Sequence, residues 1–171
     1  VLPILQTLEQ GQSGIQALIL APTRELAKQV AKAANDYGKC LNVRVLAVYG
    51  GQPYSQQINR LRQGVDIVVG TPGRLLDLIE RGVLDLSHLS TVVLDEADEM
   101  LSMGFVKDIE SILSAMPSER QTALFSATIP PEIGSIANKY MHSPQSIIIK
   151  SKHLTVDAID HRCCLVNEKE K

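Results

Sequence analysis

The sequence lacks the features that would place the chain in a membrane, in an oxidising compartment or on a structural metal. None of its apolar runs approaches the ~20 residues that a transmembrane helix needs, and no basic segment leads into an apolar core as in a signal peptide. The 3 cysteines form no C-x-x-C pair, and the 4 histidines are scattered without ligand spacing. We therefore expect a reduced, cytoplasmic protein without a membrane partner, with a nuclear location as the alternative.

An excess of positive charge is also absent. The chain has 17 Lys and Arg against 19 Asp and Glu, which gives a net charge of −2. Whole-chain charge therefore offers no attraction for nucleic acid. Any phosphate binding has to depend on a few placed cations and on backbone N–H groups.

What is present is a regular alternation of short apolar runs with helical patterns. The 171 residues suffice for one domain with a sizeable core. Strands are predicted at residues 17–21, 43–49, 65–70, 91–95, 122–125 and 146–150. Helices are predicted at residues 1–10, 24–39, 52–63, 72–81, 96–101, 105–116 and 130–141. This alternation predicts an α/β fold with a doubly wound parallel sheet, built from right-handed crossovers.

The segment Thr-Val-Val-Leu-Asp-Glu-Ala-Asp at residues 91–98 carries the most chemistry. Asp95 and Glu96 directly follow a strand that is apolar enough to be buried, and ligands of open α/β sheets bind beyond the carboxyl ends of the strands. Two carboxylates there can hold a hydrated Mg²⁺ and polarise a water, as phosphoryl transfer requires. The alternative is an acidic helix start, with Asp95 as N-cap and with Glu96 and Asp98 favoured by the helix dipole.

Four other strands end in turns with unusual polar or glycine content. The turns are Pro22-Thr23-Arg24, Gly50-Gly51, Thr71-Pro72-Gly73-Arg74 and Ser126-Ala127-Thr128. One interpretation is ordinary capping and turn chemistry. The other starts from Arg24 and Arg74, which lie in the first turns of predicted helices, where the dipole disfavours cations unless an anion is bound. Two such sites beside a glycine pair indicate binding of a nucleic-acid backbone without base specificity.

In this order and at this spacing, the five motifs resemble those of the DEAD-box RNA helicases, over residues 1 to about 150. The resemblance implies the first RecA-like domain of a two-domain helicase that couples ATP hydrolysis to RNA duplex unwinding. It implies that Asp95 holds Mg²⁺ through water, that Glu96 positions the attacking water, and that Ser126 and Thr128, with Asp98, couple the nucleotide to RNA. The residues that would line the RNA backbone are Pro22, Thr23, Arg24, Gly50, Gly51, Thr71, Gly73 and Arg74.

The sequence departs from this family in one large respect. It contains no phosphate-cradling loop G-x-x-x-x-G-K-[ST] and no preceding glutamine motif for adenine. Residues 1–6 resemble the helix that follows that loop. By the resemblance, residues 1–150 form a RecA-like domain of the P-loop NTPase type without its first strand and loop, and residues 151–171 form an interdomain linker or the start of a second domain.

The expected cofactors are ATP and Mg²⁺, and the expected partners are RNA and a second RecA-like domain. Without the loop, and without the arginines that the second domain supplies in this family, the 171-residue chain is expected to be inactive by itself. Two rival hypotheses remain open. One is a non-catalytic nucleic-acid-binding module, and the other is a helicase-like translocase that acts on DNA.

Overall fold

The computed structural model describes residues 1–9 and 11–149, which form an α/β fold around a five-stranded, wholly parallel sheet. The strand order is β2-β3-β1-β4-β5. The strands are β1 (Ala17–Leu20), β2 (Val45–Val48), β3 (Ile67–Gly70), β4 (Thr91–Leu94) and β5 (Gln121–Leu124). The predicted fold class and five of the predicted strands are thus confirmed.

Seven α-helices connect or flank these strands within the described ranges, and none is long and apolar enough to cross a membrane. They are α1 (Leu2–Thr7), α2 (Arg24–Tyr37), α3 (Tyr54–Arg62), α4 (Pro72–Glu80), α5 (Ala97–Ser102), α6 (Val106–Ser114) and α7 (Pro131–Tyr140). Thr23 caps α2, because its Oγ1 accepts a hydrogen bond from the Leu26 N–H at 3.2 Å. Pro72 begins α4, where its missing N–H costs nothing.

The helices cover the two faces of the sheet unequally. Leu18, Leu20 and Val68 point to the larger core, where the apolar sides of α4, α5, α6 and α7 pack. Ile19 and Val69 alternate to the other face, which is covered by α1 and α2. Among residues 1–9 and 11–149, two helices therefore cover the second face, and they pack against residues of β1, β2 and β3.

This unequal cover leaves part of the sheet open. Val93 on β4 is only half-buried, and Phe125, directly after β5, is 59% exposed. A cavity of about 870 Å³ lies on this face, and both apolar side chains, such as Ile19, Val93 and Phe125, and polar ones, such as Gln16 and Gln121, line it. The predicted burial of the strand before Asp95 is therefore correct for Val92 and Leu94, which lie on one face, but not for Val93 on the other.

The predicted sixth strand is wrong over residues 146–149. These residues form no strand, and Ile147, Ile148 and Ile149 are 86%, 64% and 92% exposed. A run of isoleucines has a high β-propensity, but a strand also needs a neighbouring strand to pair with. Residues 150–171, which include Lys150 and the predicted linker, lie outside the described residues, as does Gln10.

Candidate functional site at the carboxyl edge of the sheet

All five motifs emerge at one edge of the sheet, because all five strands are parallel. The order of the strands divides this edge into two halves. The turns after β2, β3 and β1 carry the glycine pair, the Thr71–Arg74 turn and the Pro22–Arg24 turn. The turns after β4 and β5 carry the acidic pair and the Ser126–Thr128 turn, and β4 pairs with β5.

Asp95 and Glu96 occupy the turn between β4 and α5. The Asp95 N–H donates to the Leu20 carbonyl of β1 at 3.0 Å, which fixes the turn to the centre of the sheet. Glu96 has a left-handed backbone, with φ 48° and ψ 52°, which is uncommon for a residue with a side chain. Asp95 is half-buried and lines the cavity, whereas Glu96 is exposed.

The helix-cap interpretation fails for Asp95, whereas Asp98 does lie in the first turn of α5, as the helix-dipole part of that interpretation expects. The N-cap residue of α5 is Glu96, not Asp95, and its side chain makes no capping hydrogen bond. The Asp95 Oδ1 accepts only the N–H of Glu96, at 3.1 Å, among the hydrogen bonds of the described residues. In the first turn of α5, the N–H of Asp98 donates to a side chain, Ser126 Oγ, at 3.2 Å. The cap thus comes from the neighbouring strand's turn.

Asp98, Ser126 and Thr128 form one hydrogen-bonded network. Asp98 Oδ2 accepts from the Thr128 N–H at 2.9 Å and from Thr128 Oγ1 at 2.8 Å. Ser126 Oγ donates to the Thr128 carbonyl at 2.6 Å. Partial burial by itself would raise the pKa of Asp98, but the hydrogen bonds from Thr128 and Ser126 outweigh it and hold this pKa below its ordinary value. The carboxylate therefore stays ionised and keeps the turn after β5 attached to α5.

The Arg24 side chain, from the turn after β1, lies against Gly51 in the turn after β2. Gly51 has φ 84°, and a Cβ at this position would collide with the Arg24 guanidinium. The glycine therefore provides room for an arginine from a turn two strands away in the sheet, and adopts a backbone conformation that is unfavourable for residues with a side chain. A Cβ at Gly50 would meet nothing within 4 Å. Within the described residues, Arg24 forms no salt bridge.

The other predicted backbone-binding residues occupy the same half of the edge. Pro22 is buried, Thr23 and Thr71 are half-buried, and Gly73 is exposed. Thr71 stands at the N-cap position of α4, but its side chain makes no capping hydrogen bond. Capping therefore accounts for Thr23 and leaves the Thr71 hydroxyl without a structural role among the described residues.

Arg74 is held by three residues of the segment that follows the glycine pair. Its Nη1 donates to the Gln52 carbonyl at 3.1 Å and to Gln57 Oε1 at 3.2 Å. Its guanidinium carbon lies 3.9 Å from the centroid of the Tyr54 ring. The sequence analysis did not identify Tyr54 or Gln57. The sequence does offer one signal for Gln57: it is a polar residue on the apolar side of the predicted helix, one turn before Leu61, where a buried polar side chain needs a hydrogen-bond partner.

Asp95 connects the acidic pair to the open face of the sheet. It lines the same cavity as Val93, Ala123 and Phe125, at the carboxyl end of β4. No group of three or more His, Cys, Asp or Glu side chains suited to a metal occurs in residues 1–9 and 11–149. Any metal at this edge would thus take few ligands from the described part of the chain.

Comparison with known proteins identifies the relatives of this chain. A family model described as "DEAD/DEAH box helicase" matches residues 1–136. The ATP-dependent RNA helicase CshA of Listeria monocytogenes is 53% identical over 170 residues, which cover 99% of this chain and 33% of that protein. The ATP-dependent RNA helicase DeaD of Escherichia coli K12 is 56% identical over 155 residues, which cover 90% of this chain and 25% of that protein.

Solved structures agree with this result. A DEAD box protein from the hyperthermophile Methanococcus jannaschii superposes with a TM-score of 0.79 at 47% identity, covering 82% of this chain and 38% of that one. A hypothetical ATP-dependent RNA helicase from Sulfolobus tokodaii gives 0.76 at 48% identity, covering 84% and 41%. With its α/β sheet, its motifs at one edge and these matches, the chain belongs to the DEAD/DEAH box helicase family and has the RecA-like fold of its first domain.

Proposed function

We propose that this chain is part of an ATP-dependent RNA helicase, in which it contributes the hydrolytic carboxylates and one half of the RNA-binding surface. The chain spans about a third of the length of its Listeria relative, at 33%. The observation that carries the proposal is the division of the carboxyl edge. An acidic pair lies on one half, and on the other lie Arg24 and Arg74, which form no salt bridge within residues 1–9 and 11–149. The Asp98 network is attached to the turn of the acidic pair.

The residues present fit part of an Mg²⁺–ATP site. Asp95 is half-buried at the edge of a cavity, and Glu96 is exposed beside it. Mg²⁺ in nucleotide sites usually takes one or two carboxylates and completes its shell with water and phosphate oxygens, which matches so small a ligand set. Asp95 would hold the ion through water, and Glu96 would orient the water that attacks. When bound, the ion neutralises charge on the phosphate oxygens.

In this proposal, the phosphate cradle would come from a part of the full-length protein outside these 171 residues, which do not contain the G-x-x-x-x-G-K-[ST] loop. The open face of the sheet beside β4 and β5 is where we place this phosphate cradle. There, the cavity borders Asp95 and Phe125, and β5 is an edge strand. A second RecA-like domain would add arginines to the nucleotide. We therefore expect no ATP turnover by the isolated chain.

RNA would cross the other half of the edge. Arg24 is exposed and Arg74 half-buried, and each lies in the first turn of a helix with no salt bridge among the described residues. A cation near a positive helix end is unfavourable unless an anion compensates it, and a phosphate does so while it accepts N–H donors. Pro22, Thr23, Gly50, Gly51, Thr71 and Gly73 would complete a path that follows the backbone without reading bases.

Coupling between the two halves would run through Asp98, Ser126 and Thr128. The turn after β5 is attached to α5 by the Asp98 hydrogen bonds, and α5 begins directly after Glu96. A rearrangement at the acidic pair would therefore be transmitted to this turn. For a protein of this activity we propose the cytoplasm as its place of action; the relatives named above from Listeria and Escherichia are bacterial, and they give the nuclear alternative no support.

The decisive experiment measures ATP hydrolysis by the full-length protein with single-stranded RNA, with DNA of the same sequence and without nucleic acid. The proposal predicts stimulation by RNA and much weaker stimulation by DNA. Equal stimulation by both would favour the DNA translocase. No hydrolysis under any condition, with nucleic-acid binding retained, would favour the non-catalytic module.

A further inference from the structure

Arg74 and Arg120 are the two half-buried Lys or Arg residues of the described chain, and neither forms a salt bridge there. The exposed Arg44, by contrast, donates to the carboxylate of Asp66, at 2.7 Å from Nη2 to Oδ1. Arg74 instead donates only to neutral acceptors, the Gln52 carbonyl and Gln57 Oε1, both from Nη1. Neutral acceptors orient a guanidinium without cancelling its charge. Its Nε and Nη2 donors make no hydrogen bond within residues 1–9 and 11–149.

Gln57 is placed as a rigid support. It is only 2% exposed, and with Gln16 it is one of two buried polar residues in the described chain. Its Nε2 donates to the Tyr49 carbonyl at 3.0 Å, at the end of the β2 strand region. Its Oε1 is thereby turned toward Arg74, which it meets at 3.2 Å. A buried glutamine with both ends engaged has little freedom, so the position of Arg74 Nη1 is set by the backbone near the glycine pair.

Tyr54 holds the same guanidinium from another direction. The Arg74 guanidinium carbon lies 3.9 Å from the ring centroid, within the range of a cation–π contact. The one nearby carboxylate on the same helix, Asp77, is occupied by Arg81, whose Nε donates to it at 2.9 Å. Arg81 also stacks on Tyr54, at 4.9 Å. The hydrogen bond from Arg81, and to a smaller extent the charge of Arg74, lowers the pKa of Asp77. Arg74 thus lies near this carboxylate without a hydrogen bond to it among the described residues, and its Nε and Nη2 donors stay open.

We propose that Gln57 and Tyr54 are positioning residues, which fix the Arg74 guanidinium so that its free N–H groups face an RNA phosphate at the carboxyl edge. This inference rests on the RNA path proposed above. It adds that the arginine is aimed in advance by neutral partners from α3. Pre-aiming increases affinity, because a flexible arginine would lose its rotamer freedom on binding.

The test uses the full-length protein with a labelled single-stranded oligouridylate and a non-hydrolysable ATP analogue. Gln57→Met keeps the length of the side chain and removes both hydrogen-bonding ends. We expect it to weaken RNA binding about three- to tenfold, as loss of one positioned hydrogen bond would. Gln16→Met is the matched control, because Gln16 is also buried and bonds the Glu9 backbone at 2.8 Å and 2.9 Å, at the opposite edge of the sheet. It should lower the melting temperature without changing RNA affinity.

Two readouts separate positioning from simple destabilisation. In an Arg74→Ala background, Gln57→Met should have no further effect on RNA affinity, because its action passes through Arg74. Tyr54→Leu should weaken RNA binding, whereas Tyr54→Phe, which keeps the aromatic ring, should bind RNA as the wild type does. If Gln57→Met does not fold, the comparison of Tyr54→Leu with Tyr54→Phe tests the positioning role: equal RNA affinity of these two variants would overturn it.

The possible failures are distinguishable. Unchanged RNA affinity and salt dependence in Arg74→Ala would reject the RNA path itself. A weakened Arg74→Ala, together with a Gln57→Met variant that behaves like Gln16→Met, would leave the path intact and overturn the positioning role. Additive effects of Gln57→Met and Arg74→Ala would overturn it as well.

Discussion

Removing the hydroxyl groups of Ser126 and Thr128 should separate ATP hydrolysis from duplex unwinding. The double variant Ser126→Ala/Thr128→Val deletes three hydrogen bonds, those from Thr128 Oγ1 to Asp98, from Ser126 Oγ to the Thr128 carbonyl and from the Asp98 N–H to Ser126. It leaves the bond from the Thr128 N–H to Asp98. Asp95 and Glu96 keep their own backbone contacts. The turn should therefore loosen while the hydrolytic pair stays in place.

The size of the effect on stability follows from these contacts. A protein hydrogen bond contributes about 0.5–1.5 kcal/mol net, and Thr128 is exposed, so that water replaces part of what is lost. We expect a total loss of about 2 kcal/mol, which lowers the melting temperature of a domain of this size by about 4–8 °C. At a temperature well below unfolding, RNA-stimulated ATPase should remain close to wild type and strand separation should fall steeply.

The assay measures both activities on one preparation, with a duplex substrate for unwinding and the corresponding single strand for ATPase. Ser135→Ala is the control, because Ser135 Oγ donates only to the Pro131 carbonyl inside α7, at 3.0 Å. It should preserve both activities. If unwinding survives while ATPase collapses, Ser126 and Thr128 belong to the nucleotide site, and the coupling argument is wrong.

Three further predictions concern the edges of the sheet. Burial would raise the pKa of Asp66, but the hydrogen bonds from Arg44 outweigh this effect and lower the pKa in the folded protein. The ionised Asp66 therefore stabilises the fold fully at a pH above its pKa in the unfolded chain, and this stabilisation is lost as the pH falls through its pKa in the folded protein. Asp66→Asn should therefore lower the melting temperature at pH 7 and flatten its decline below about pH 4, and an unchanged acid profile would contradict this. Gly51→Ala should destabilise the fold by about 1–2 kcal/mol and weaken RNA binding by displacing Arg24, whereas Gly50→Ala should leave the stability of the fold unchanged; an equal loss of stability at both glycines, measured by thermal unfolding, would refute the contact. Arg24→Ala should reduce the salt dependence of single-stranded RNA binding by a slope of about 0.7, and an unchanged slope would mean that Arg24 contacts no phosphate.

The sequence was sufficient to predict the sheet because its strands are short, buried, apolar runs between turn signals. Ala17–Leu20 and Ile67–Gly70 are wholly buried, and both were predicted close to their observed bounds. The isoleucines at 147–149 carry the same local signal, yet residues 146–149 form no strand. The composition of a segment indicates its preference for a β-strand, but whether a neighbouring strand is available for it to pair with depends on the whole fold.

The candidate site was predictable as a set of motifs but not as a set of contacts. Parallel strands necessarily bring their turns to one edge, but the grouping of Asp98 with Ser126 and Thr128 was implied by the resemblance to DEAD-box helicases and not by topology alone. The contact between Arg24 and Gly51 was not predicted, since the glycine pair was interpreted as room for a phosphate and the second glycine instead makes room for a guanidinium. The support of Arg74 by Gln57 joins residues 17 positions apart on different helices, which no local pattern encodes.

The central claim is that Asp95 and Glu96 are hydrolytic residues and not merely the start of a helix. Glu96→Gln in the full-length protein keeps the size and polarity of the side chain and removes its negative charge. The account predicts an RNA-stimulated kcat lowered by about 100-fold or more, with the Kd for Mg²⁺–ATP nearly unchanged. Glu99→Gln, an exposed acidic residue in the first turn of the same helix, should keep a normal kcat. A Glu96→Gln protein with normal kcat would contradict the account, because the acidic pair would then have no part in the reaction.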